Sequence, residues 1–166
     1  MNDIPLLPII GDAEIALLEK LSNAVAVSGD EGEVRAIVLE QVRPLADEVK
    51  VDALGNVLAV RKARQPGALR VMLATHMDEI GFMLTSDGED GLFSFGLVGG
   101  IDERILPGKP VLVGKNHIPG VIGAKPIHLQ EEDEEERTIP LEALKIDLGP
   151  DGEEKEIGRA SGRERV

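Results

Sequence analysis

The chain has 166 residues, with 18 basic and 31 acidic side chains, a net charge of −13 and no cysteine. The lack of cysteine excludes disulfide scaffolds, Cys-ligated zinc, iron–sulfur clusters and a cysteine nucleophile. The acidic balance argues against a nucleic-acid partner, whose phosphates need a basic face, and no run of about 18 apolar residues is present to span a membrane. At 42% hydrophobic the chain has the apolar content of a packed core. Its length predicts roughly one domain, with two small ones possible. The opening Met1–Asp12 has no basic region, and Pro5 and Pro8 interrupt its apolar stretch. It therefore reads as a poor secretory signal, and a cytoplasmic protein is expected. Phe82, Phe93 and Phe95 are the only aromatic residues, so base-stacking platforms and aromatic-lined pockets are nearly excluded.

In chain order, Ile15, Leu17, Leu18 and Leu21 fall at helical spacing, with Asp12 as the expected N-cap. Ser28 and Glu31 fit an S-x-x-E capping box, which predicts a second helix with Val34, Ile37, Val38, Leu39 and Val42 inward, ending at Pro44. From residue 48 the period changes to two. Val49 and Val51 alternate with Lys50 and Asp52, Ala53–Asn56 reads as a turn, and Val57–Val60 as a returning strand, which together predict a hairpin. Leu69–Ala74 is nearly continuous apolar sequence, interrupted by Arg70, and predicts a strand buried on both faces.

Beyond residue 80 the chain reads as β-rich, with short strands at Gly81–Thr85, Leu92–Phe95, Pro110–Gly114 and Ile118–Ile122. The acidic run Glu131–Glu136 repels itself and predicts a surface loop. Apolar spacing returns over Ile139–Leu148, and Gly158–Val166 reads as a polar tail.

Chemistry has few places to sit. Dinucleotide, phosphate-loop, nucleophile-elbow and H-E-x-x-H motifs are missing. His76 lies in Thr75–Gly81, directly after the predicted buried strand, where the carboxyl ends of strands gather functional groups. It is a candidate ligand for zinc or cobalt, and Asp78 two residues on could hold the far imidazole N–H. The plain alternative is a strand-end histidine beside a solvated carboxylate. His117, in Lys115-Asn116-His117, reads as an exposed turn residue, and His128 as a structural histidine with one backbone hydrogen bond. Asp102 and Glu103, in the turn after Gly99-Gly100, read as solvated, with a substrate-facing role as the alternative. The acidic run could hold calcium weakly, but a calcium cage needs alternating ligands, so a solvated loop is preferred.

The succession Ala26–Glu31, Val51–Val57, His76–Phe82 and Gly99–Asp102 resembles the M42 family of metallo-aminopeptidases, which includes glutamyl aminopeptidases and large tetrahedral aminopeptidases. Gly120–Gly123, Lys125–Leu129 and Ile146–Gly149 resemble it too, and the likeness runs from about residue 12 to about 157. The resemblance implies an α/β fold: an incomplete zinc-peptidase-like α/β catalytic domain over residues 1–80, an inserted β-rich, barrel-like oligomerisation domain over 81–157, and a polar tail over 158–166. It implies His76 as a metal ligand and Asp78 as the catalytic-site carboxylate that orients it. Two divalent metals, zinc or cobalt, would activate a water that attacks the peptide carbonyl and releases the N-terminal residue. Peptide substrates and a homo-oligomer are implied as partners.

The family's later ligands have no counterpart here: a bridging Asp, a Glu–Glu pair with the general base, a further Asp and a final His. The expectation is a truncated or frameshifted product, or a deliberately made N-terminal half, that is catalytically incomplete. The alternative is a non-catalytic relative that assembles or binds through its β-rich domain.

Overall fold

The computed structural model describes residues 10–86, 91–123 and 139–149. The predicted acidic loop, His128 and the polar tail lie outside these residues. The elements run α1 (Asp12–Asn23), α2 (Gly32–Val42), β1 (Glu48–Val51), β2 (Val57–Val60), β3 (Gly81–Leu84), β4 (Leu92–Phe93), β5 (Phe95–Val98), β6 (Pro110–Val113), β7 (Ile118–Gly123) and β8 (Lys145–Asp147). Short 3-10 turns stand at Glu103–Ile105 and Leu141–Ala143. The chain divides into two units, one of Met1–Ala26 with Glu31–Asp78, the other of Val27–Asp30 with Glu79–Val166.

The first unit holds both helices and the hairpin. α1 is capped by Gly11 rather than Asp12. The Glu14 carboxylate reaches back to accept from the Gly11 N–H at 2.8 Å, which satisfies a donor at the helix start and holds the Glu14 carboxyl below its ordinary value. α2 begins at Gly32 with Glu31, rather than the expected Ser28, as N-cap. The Glu31 carboxylate accepts from the Arg35 guanidinium at 3.1 Å. Arg35 Nε donates to the Gly55 carbonyl at 2.8 Å, which ties α2 to the hairpin turn.

β1 and β2 pair antiparallel from Glu48↔Val60 to Val51↔Val57, as the two-residue period predicts. Asp52 organises the turn: Oδ1 accepts from the Leu54 and Asn56 N–H groups at 2.9 Å, and Oδ2 from Asn56 Nδ2 at 2.9 Å. These bonds favour the ionised carboxyl and lower its pKa, the Asn56 side chain most strongly.

The predicted buried strand at Leu69–Ala74 is not formed. Among the described residues no strand pairs with it, and Leu69, Val71, Met72 and Leu73 are strongly exposed, Leu73 at 94%. A strand buried on both faces needs a neighbour on each edge and a layer on each face. The apolar run states that need, and the described part of this unit does not meet it.

In the second unit, Gly29 at φ +86° turns the chain, and the Asp30 N–H donates to the Val27 carbonyl at 2.7 Å. This turn displaces the start of α2 to residue 32, past the predicted box. Val27 forms a parallel bridge with Glu79. β3 and β5 pair antiparallel, and a four-stranded antiparallel sheet runs in the order β4-β8-β7-β6.

Phe93, Ile146 and Ile122 align in one cross-strand row of that sheet and are buried. With Phe95, Leu106, Val113, Ile118, Leu144 and Leu148 they form the core, flanked by Phe82, Leu84, Leu97 and Ile101. Phe82 and Phe95 meet edge to face at 5.1 Å between ring centroids. All described sheets are open, so the expected barrel-like closure is not shown.

Gly91 fixes the approach of two segments. At φ +75° its carbonyl accepts from the Leu148 N–H at 3.1 Å, and a Cβ there would lie 2.5 Å from the Gly149 oxygen. Only glycine fits both the dihedral and the space.

Candidate active site

His76 and Asp78 lie together at the end of the first unit. His76 Nδ1 is 2.9 Å from the Asp78 carbonyl oxygen and 3.1 Å from Asp78 Oδ1. Both contacts are acceptors when the carboxyl is ionised, so Nδ1 carries the hydrogen and donates to them. The lone pair is thereby left on Nε2, the nitrogen a metal would take. The imidazole is 84% exposed, and the Asp78 side chain less than half so. The H-x-D spacing therefore brings both residues into direct contact, although the strand expected just before them is not formed.

The donor set is small. Among the described residues no three His, Asp or Glu side chains converge as a metal-holding group. A zinc centre takes about four ligands. One imidazole with a carboxylate bound to its other nitrogen does not fit a complete divalent-metal centre, still less a pair of metals.

The other candidates are placed apart from this pair in function. Asp102 caps the 3-10 turn by accepting from the Arg104 N–H at 3.1 Å, and its Oδ2 accepts from the Arg104 guanidinium at 2.6 Å. The hydrogen bond from the Arg104 side chain holds the Asp102 carboxyl down to about 2. This is an exposed ion-paired turn, in line with the solvated reading. Arg104 was not singled out from sequence; its D-x-R spacing at a turn was the available signal.

His117 sits in a tight turn at φ +50°, its N–H donating to the Gly114 carbonyl at 3.1 Å. It is half-buried rather than exposed, because the turn folds it beside the start of β7. Lys145 Nζ donates to Ser94 Oγ at 2.6 Å, a partly buried link between β8 and the β4–β5 junction that sequence spacing does not reveal.

Solved structures share this fold. A TET aminopeptidase from a marine-sediment Thaumarchaeota archaeon superposes with a TM-score of 0.82 at 34% identity, over 93% of this chain and 44% of that one. A TET1 peptidase of Pyrococcus horikoshii, described as assembling into a tetrahedron or a large octahedral shell, gives 0.73 at 33% identity, over 92% of this chain and 46% of that one. The fold is thus that of part of a TET-type aminopeptidase chain, less than half of its length.

The sequence profile of the M42 glutamyl aminopeptidase family matches residues 55–162. A protein of Acetivibrio thermocellus, named as a candidate aminopeptidase, is 37% identical over 141 residues, which are 85% of this chain and 40% of that one. The chain belongs to the M42 glutamyl aminopeptidase family, and it spans less than half the length of these relatives.

Proposed function

We propose that the chain serves a metal-dependent aminopeptidase of the M42 type, which removes N-terminal residues from peptides. The observation that carries this reading is the His76–Asp78 pair, with Nδ1 protonated and Nε2 left open, in a chain similar over most of its length to aminopeptidases. His76 would be one ligand of a divalent metal, zinc or cobalt. Asp78 would orient the ring and raise its basicity. In the family reading, two metals supply the activated water. The described residues do not assemble the donors for them, so the remaining ligands and the general base have to come from outside those residues.

On this reading residues 1–80 are the first part of the α/β peptidase domain and 81–157 the inserted domain, in a homo-oligomeric, cytoplasmic protein. The assemblies of the Pyrococcus horikoshii relative support the oligomer. No helix among the described residues is long and apolar enough to cross a membrane.

A second reading is favoured by the small donor set among the described residues together with the packed core of the β-rich unit: a non-catalytic relative that binds or assembles through that unit. Hydrolysis of aminoacyl p-nitroanilides with added zinc or cobalt separates the two, run beside His76→Ala and with intact-mass measurement. Metal-dependent turnover that is lost in His76→Ala supports the peptidase. Turnover indifferent to that substitution overturns the site. No turnover, with co-assembly onto full-length subunits, supports the second reading.

A further inference from the structure

We draw no further inference here: the strongest candidate, the exposed apolar segment Leu69–Leu73 that precedes His76 in the first unit, carries nothing because nothing in the structure shows what covers it.

Discussion

The first unit is the more apolar of the two in sequence, yet among the described residues only the second closes a core. Among the described residues of the second, nine side chains from the sheets and their connections form one buried cluster, with Val113, Ile122 and Ile146 fully excluded from water. Among the described residues of the first, burial is confined to Ala26, Val34 and Ile37, while Ile15, Leu18, Leu58 and Val60 remain substantially exposed. Hydrophobic content alone does not make a core; apolar faces stabilise only where a second layer meets them. Among the described residues of the first unit, α1 packs on α2 and α2 on a two-stranded hairpin, and such a ribbon is marginal by itself.

The largest expected effect contrasts the same kind of truncation in both units. Ile146→Ala empties the centre of the four-stranded sheet and is expected to cost about 2–5 kcal/mol in urea or thermal unfolding. Leu73→Ala removes a side chain already in water and is expected to stay within about 0.5 kcal/mol. Equal losses at the two positions would break the comparison, since they would mean that Leu73 is covered in solution.

Gly91→Ala comes next. It combines a left-handed backbone with a carbonyl 2.5 Å from the new Cβ, and a loss of roughly 1–3 kcal/mol is expected. A neutral result would show that the Gly91–Leu148 approach is not fixed. Within the first unit, Arg35→Ala removes a partly buried bond to the Gly55 carbonyl and the pair with Glu31. About 1 kcal/mol is expected, together with faster amide exchange over residues 54–56. Unchanged exchange there would detach the hairpin turn from α2.

The smallest effect is local. Asp102 is depressed from 3.8 to about 2, so its pairing favours the folded chain above the unfolded value and is lost as pH falls through about 2. Carboxyl titration by NMR should give a midpoint near 2, and Arg104→Ala should return it toward 3.8. A midpoint already at 3.8 in the unaltered chain would dissolve the pair.

Much of the second unit was legible from sequence. The strands expected at Gly81–Thr85, Pro110–Gly114 and Ile118–Ile122 formed close to their bounds, whereas Leu92–Phe95 is split into β4 and β5, which join different sheets, and the apolar spacing over Ile139–Leu148 contains the buried strand β8. The hairpin was legible because alternation and an Asp–Asn turn agree. Three features were not. The start of α2 lies at Gly32, past the Ser28 cap position, after a turn at Gly29 whose positive dihedral a four-residue pattern does not encode. The cap of α1 shifted to Gly11 because the Glu14 carboxylate supplies the acceptor.

Leu69–Ala74 reads as buried from composition, but burial depends on neighbours that a local pattern does not contain. For the site, H-x-D placed His76 and Asp78 together because two residues of chain suffice to set that contact. A full ligand set depends on residues distant in sequence, which no local spacing encodes.

The placement of the phenylalanines gives the molecule its own optical label. All three rings lie between residues 82 and 95, and there is no tryptophan or tyrosine. Near-ultraviolet dichroism therefore reports only on the second unit, whereas far-ultraviolet dichroism sees the helices of the first. If the helical signal melts while the phenylalanine fine structure persists, the two units unfold separately, with no engineered probe needed to show it.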